Sequence, residues 1–223
     1  MTDLSTLAAR QSEARALMQR AGVLPVVTVA SAEQGVAIAR ALLAGGLPAI
    51  EVTLRSPAAL DAIVAIRQAV PEAEVGAGTV LDAAQLRQAL DAGAGFIVSP
   101  GTPADVADAF AEAPVPVIPG AATPTELIAL YNRGFRVAKL FPASSVGGVG
   151  LLKSLQGPLP GIRICPTGGI GEANAAEYLA LSNVGCIGGS WMLKQAWIDA
   201  GDFEAVTAAA RRAREIVERA RAG

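Results

Sequence analysis

Three lysines occur in the chain, Lys139, Lys153 and Lys194, and their surroundings differ. Lys139 alone sits inside a strand-like run, FRVAKLFP, where it shares parity with Val137 and Phe141, so the three side chains project to one side of a strand. If that side is an interior, burial strips the ammonium of its water and brings the neutral amine, the form that attacks a carbonyl, within reach. The plain alternative is a lysine at a strand end that extends to solvent. Lys153 in GLLKSLQ and Lys194 in WMLKQAW fall on predicted helices, where a solvated position is the expectation.

A second constellation is GGLPAIEVTLRS, residues 45–56, in which Glu51, Thr53 and Arg55 alternate along one predicted strand face. A carboxylate within a buried run is costly unless it is paired or used. Glu51 suits a proton carrier and Arg55 a fork-shaped donor for a substrate carboxylate, while a structural Glu–Arg pair closing the strand end is the competing reading. A third feature is a set of glycine-rich strand ends, VGAGTV from Val75, PTGGIG from Pro166 and CIGGSW from Cys186. Glycine lets backbone N–H groups approach an anion closely, although tight turns alone also favour it.

Positioning these groups falls to eight short apolar runs alternating with amphipathic stretches. They are LPVVTV from Leu24, PAIEVT from Pro48, AEVGAGT from Ala73, GFIVS from Gly95, VPVIPG from Val115, FRVAKLF from Phe135, IRICPTGG from Ile162 and VGCIGGS from Val184. An open doubly wound sheet is disfavoured, because no GxGxxG opens a helix after the first run and polar residues recur at the C-terminal end of nearly every run. The pattern predicts a (β/α)8 TIM barrel, which gathers all those ends at one mouth, with an additional N-terminal helix. The recurring phosphate site of such barrels follows strands seven and eight, where PTGGIG and CIGGSW fall. The stretch from about Asp202 to Ala222 reads as a terminal solvated helix, and one domain over 1–223 is expected, since no linker or composition break appears.

Composition agrees. A chain of 223 residues, 52% hydrophobic and 4% aromatic, matches one barrel with an aliphatic core. A formal charge of -2 and a pI near 5.3 provide no attraction to nucleic acid or an anionic membrane. Only Cys165 and Cys186 occur, expected as free buried thiols, and the N-terminus has no signal-like or membrane-spanning run, so a reducing cytoplasm is the expected compartment. Histidine is absent, which removes the commonest zinc ligand and general base and argues against zinc chemistry and Ser-His-Asp hydrolysis.

From Leu24 to Asp202 the strings EVTLR, VGAGTV, SPG, KLFPA, CPTGGI and CIGGSW stand in an order that resembles the 2-keto-3-deoxy-6-phosphogluconate aldolases, the KDPG/KHG aldolases. The resemblance implies that Lys139 of KLFPA is a Schiff-base residue and that Glu51 of EVTLR moves protons, through a bound water. It implies that Arg55, with Thr79 of GAGT, holds a pyruvate carboxylate, near the backbone of Pro100 and Gly101. Phe141 would pack beside the imine and Thr167 would sit close to the cleaved bond. Gly168, Gly169, Gly189 and Ser190 are similar to phosphate-binding positions. A homotrimer and the absence of any cofactor or metal are also implied. One departure stands out: some relatives carry a basic residue near the end of the first strand, where this chain has Thr28, Ala30 and Ser31.

The expected activity is reversible cleavage of 2-dehydro-3-deoxy-6-phosphogluconate, a phosphorylated 2-keto acid, to pyruvate and D-glyceraldehyde 3-phosphate. Alternatives are the same chemistry on the C4 epimer, 2-dehydro-3-deoxy-6-phosphogalactonate, or on 4-hydroxy-2-oxoglutarate, which lacks phosphate. Ser190 and the two glycine-rich loops favour a phosphorylated substrate. More distant are a sugar-phosphate epimerase or isomerase, which does not need a strand-embedded lysine, and a non-catalytic phosphosugar-binding barrel.

Overall fold

The alternating pattern folds into parallel strands with covering helices. The computed structural model describes residues 4–222, so Met1, Thr2 and Asp3 of the predicted N-terminal helix, and Gly223, lie outside the described residues. Helix α1 (Leu4–Ala21) leads into β1 (Val23–Val27), α2 (Ala32–Ala44), β2 (Ala49–Thr53), α3 (Ala59–Ala69), β3 (Glu74–Gly78), α4 (Ala83–Asp91) and β4 (Ile97–Val98). After α5 (Ala104–Ala111) come β5 (Val117–Ile118), β6 (Gly120–Ala121), α6 (Pro124–Asn132), β7 (Val137–Leu140), α7 (Gly148–Leu155) and β8 (Arg163–Pro166). The chain ends with α8 (Ala175–Leu179), β9 (Ile187–Gly189), α9 (Gln195–Ala200) and α10 (Phe203–Ala222).

The fifth predicted strand is divided. Pro119 has no N–H to donate to a ladder, and VPVIPG breaks there into β5 and β6. The two halves join different sheets, six strands in the order β5-β4-β3-β2-β1-β9 and three in the order β6-β7-β8. All neighbouring strands are parallel. Isolated bridges from Ile164 to Val184 and from Thr167 to Gly188 connect β8 with the β9 region. The result is an α/β fold built on a curled parallel sheet.

Side-chain parity sorts the core into two layers. Ile50, Val52, Ala138, Leu140, Ile164 and Ile187 face outward into the layer shared with the helices. Leu24, Ala49, Phe96, Val98, Ile118, Val137, Cys165 and Cys186 face the hollow of the curl, where Ala14, Leu17, Met18 and Ala21 of α1 join them. Helix α1 therefore stops the N-terminal end of the curl, packing on β1, β2, β5 and β7. The opposite, C-terminal end of the strands is left for polar groups.

Local sequence fixes the helix starts. Ser31 and Asp82 accept from the amides of Gln34 and Gln85, and Thr123 with Glu126 forms a capping box on α6 with Pro124 at its first turn. The Ala122 amide hydrogen bond holds the Glu126 carboxyl below the usual carboxylate range. The terminal helix α10 is more than a solvated tail: Val206, Ala209, Ala210, Ala213, Ile216 and Val217 are buried, and it packs on α2 and α8. Among the described residues no helix is long and apolar enough to cross a membrane.

Because Leu17 is 3% exposed within the stopper, Leu17→Ala should leave a cavity and cost about 2–5 kcal/mol in urea unfolding. A loss below about 0.5 kcal/mol would mean that α1 does not seal the hollow as described.

Candidate active site

Residue parity on β2 turns Ala49, Glu51 and Thr53 inward, and parity on β7 does the same for Val137 and Lys139. The two charged groups meet across the hollow: Lys139 Nζ donates to Glu51 Oε1 at 3.0 Å and to Oε2 at 3.4 Å. Their side chains are 3% and 1% exposed. The carboxylate finds room because β3 has Gly78 in register with Thr53; a Cβ there would collide with the Glu51 carboxylate. The Phe141 ring lies beside the amine, its centroid 5.6 Å from Lys139 Nζ. Thr53 is fully buried and donates to the Val27 carbonyl at 3.0 Å, with the Thr28 hydroxyl 2.8 Å away.

Below the amine, Cys165 stands in register with Lys139. Hydrogen bonding with Cys186 and the nearby Lys139 charge lower the Cys165 thiol against the opposing effect of burial, while the same hydrogen bond and burial hold Cys186 well above its ordinary value. Both thiols are free.

At the mouth, Arg55 Nε donates to Thr79 Oγ1 at 3.1 Å. Arg55 lies beyond the strand on which the alternation placed it: the last rung is Leu54 N to Gly78 O, and the chain then turns into Ser56-Pro57. Thr79 has φ +59°, a left-handed conformation that crowds a β-branched side chain. The SPG segment abuts Gly120, whose amide donates to Ser99 Oγ at 2.9 Å and whose carbonyl accepts from Thr102 Oγ1 at 2.9 Å. Since Gly120 pairs with Lys139, the backbone of Pro100 and Gly101 lies beside the amine's strand.

The glycine-rich ends form the remaining wall. Thr167, 6% exposed, bridges to Gly188, which brings Gly189 and the exposed Ser190 next to Gly168 and Gly169. Gly168 and Gly169 have φ +101° and +73°, and among the described residues their amides find no acceptor. Asn174 Nδ2 donates to the Gly169 carbonyl at 3.0 Å and the Ser144 amide to the Gly168 carbonyl at 3.1 Å, fixing a loop with two free N–H groups at the mouth. Such a loop suits an anion.

Glu51 and Lys139 lie on β2 and β7, and Arg55, Thr79, Pro100, Gly101, Phe141, Thr167, Gly168, Gly169, Gly189 and Ser190 lie at or just beyond the C-terminal ends of their strands. Lys153 is on α7, whereas Lys194 is the residue before α9, its ammonium 4.7 Å from the Trp197 ring centroid. The sequence reading missed Ser99, Thr102 and Gln11, which bond across strands; their signal is a polar residue closing an apolar run or interrupting the apolar stripe of a helix. Among the described residues no three cysteine, aspartate or glutamate side chains converge to hold a metal ion.

The family model for KDPG and KHG aldolase matches residues 14–209. The KHG/KDPG aldolase of Escherichia coli (strain K12) is 45% identical over 205 residues, 92% of this chain and 96% of the relative. A KDPG aldolase from Legionella pneumophila, solved with pyruvate captured at low pH as a covalent carbinolamine intermediate, superposes with a TM-score of 0.87 at 36% identity, covering 89% of this chain and 96% of that one. The 2-keto-3-deoxy-6-phosphogluconate aldolase of Zymomonas mobilis, solved with 3-phosphoglycerate, gives a TM-score of 0.85 at 40% identity, covering 91% and 95%.

Removing one partner of a buried ion pair strands the other. Glu51→Leu should cost about 3–5 kcal/mol in urea unfolding, and adding Lys139→Met should restore most of it; a double variant as unstable as the single one would show that the charges are not coupled. Thr79→Gly relieves the left-handed φ and should raise stability by about 1 kcal/mol. A lower thermal midpoint for that variant would contradict the strain.

Proposed function

The chain belongs to the KDPG and KHG aldolase family, and on that premise we propose that it reversibly cleaves 2-dehydro-3-deoxy-6-phosphogluconate to pyruvate and D-glyceraldehyde 3-phosphate through a Schiff base on Lys139. The observation that carries this reading is the 3.0 Å contact between a buried amine and a buried carboxylate at the C-terminal end of the strands. Nucleophile and proton carrier are within hydrogen-bond reach and shielded from water, the geometry that covalent catalysis by lysine needs.

In the proposed cycle Lys139 passes a proton to Glu51 and attacks C2 of the keto acid, giving a carbinolamine. Glu51 returns that proton to the C2 hydroxyl, which leaves as water, so that an iminium forms and Glu51 is again a carboxylate. The iminium then takes up the electron pair of the C3–C4 bond as Glu51 accepts the C4 hydroxyl proton, through a bound water. Glyceraldehyde 3-phosphate leaves, and the enamine is protonated at C3 and hydrolysed to pyruvate. No cofactor enters. Arg55 and Thr79, joined by their hydrogen bond, would hold the substrate carboxylate beside the backbone of Pro100 and Gly101. Phe141 would cover the imine and Thr167 would face the breaking bond. Gly168, Gly169, Gly189 and Ser190 would bind phosphate, a role supported by the two unpaired amides. Those amides also favour a phosphorylated substrate over 4-hydroxy-2-oxoglutarate; the C4 epimer shares the phosphate.

We further infer that the curl closes into a full (β/α)8 barrel forming one domain over 1–223. Supporting this, β5 and β6 come from one run interrupted only by Pro119, and bridges connect β8 with the β9 region. A homotrimer and a cytoplasmic location complete the proposal, the latter suited by two free thiols.

Pyruvate with borohydride should add one pyruvate-derived mass per chain, at Lys139. Label on Lys153 or Lys194 instead would overturn the assignment. Glu51→Gln should still be labelled while cleavage slows by about 10²- to 10⁴-fold; near-parent turnover would place proton transfer elsewhere.

A further inference from the structure

Lys139 and Glu51 sit on different sheets. Glu51 belongs to the six-stranded sheet and Lys139 to the three-stranded one, so their separation depends on the seams where the sheets meet. At one seam, β8 meets the β9 region through backbone bonds, Ile164 N to Asn183 O at 2.8 Å and Gly185 N to Ile164 O at 3.0 Å. The other seam lies between β5 and β7, directly beneath Lys139, and is built differently.

Above it, β7 pairs with β6 through Gly120–Lys139 and Ala121–Leu140, and Lys139 N donates to Pro119 O at 2.8 Å. Two residues down, the same parallel register would have Val137 N donate to Val117 O, and residue 119 donate to Val137 O. Neither rung forms. Pro119 has no N–H, and β5 instead follows β4, with Ile97 opposite Val117 and Val98 opposite Ile118. The opening is filled from α1. Gln11 Nε2 donates to Val117 O at 3.2 Å, while its Oε1 accepts from Val137 N at 3.0 Å and from Arg136 N at 2.7 Å.

We propose that Gln11 is a positioning residue for the aldolase reaction, its side-chain amide replacing the missing backbone rung between β5 and β7 and so setting where Lys139 stands relative to Glu51. Its placement has no other economy. Gln11 is 1% exposed and is the polar member of a buried stripe that otherwise holds Leu7, Ala14, Leu17, Met18 and Ala21. A buried amide is costly unless bonded, and this one makes three of the four hydrogen bonds open to it, all to the backbone of β5, of β7 and of the residue before β7. Val137, which it holds, is two residues before Lys139 and on the same face, so movement at that amide is carried directly to the amine. Misplacing a reacting group by a fraction of its contact distance lowers kcat without removing substrate contacts. The inference rests on Lys139 as the Schiff-base residue.

The test compares Gln11→Leu, of similar size and without the three bonds, with Leu17→Ala, which weakens the same helix by packing alone. Gln11→Leu should lower kcat and the rate of borohydride-trappable imine formation about tenfold, with KM changed less than about twofold. Exchange of the Arg136 and Val137 amides should accelerate. Leu17→Ala should lower the thermal midpoint at least as much while keeping kcat within about twofold of the parent. Parent-like kcat in Gln11→Leu, or an equal kcat loss in Leu17→Ala, would overturn the proposal. If the Leu variant does not fold, Gln11→Glu keeps the acceptor for Arg136 and Val137 but lacks a fixed donor for Val117; a kcat loss of about threefold is expected there, and none would be fatal. Failure of the parent to be labelled at Lys139 would instead reject the active-site reading, while the exchange comparison would still decide whether Gln11 holds the seam.

Discussion

The contact between Lys139 and Glu51 sets the terms for the rest of the molecule. Two opposite charges, 3% and 1% exposed, are held where water cannot solvate either. Such a pair is expensive to assemble and easily replaced by apolar residues if stability alone mattered. Its presence makes sense under the proposed chemistry, in which the same burial that makes the ion pair costly would bring a nucleophile and a proton acceptor together away from bulk water. Everything near it serves the geometry: Gly78 leaves space for the carboxylate, Phe141 covers the amine, and Cys165 forms part of the floor.

The hollow of the curl is consequently divided along its axis. Its N-terminal half is filled with aliphatic side chains and stopped by α1, and its C-terminal half carries the polar groups and the loops with free amides. Parity alone achieves this division, since one strand can contribute an apolar residue low in the hollow and a charged one two positions higher. Ala49 and Glu51 do so on β2, and Val137 and Lys139 on β7.

Much of this was legible in the sequence because it is local. The alternation through Val137, Lys139 and Phe141, the buried position of Glu51 and the glycine-rich strand ends need only strand geometry to be understood. What escaped depends on contacts far along the chain. Proline at 119 signals an interruption, but its consequence, two half-strands in different sheets, depends on which neighbours are present. Arg55 continues the alternation in sequence yet falls in a turn, because the strand ends with the rung from Leu54 to Gly78. Lys194 precedes its helix rather than lying on it. Ser99 and Thr102 look like ordinary loop residues until Gly120 is placed against them.

The stopper helix also has a place in time. It emerges before the strands it stops, yet Gln11 finds its partners 106 and 126 residues later, in β5 and at the start of β7. Contacts of such sequence separation close large loops and are made slowly. Throughout that interval α1 has β1 and β2 to pack on but not yet β5 and β7, so its apolar stripe is only partly covered. The growing chain therefore carries exposed hydrophobic surface until β7 is made, so the need for folding assistance is greatest before that strand emerges.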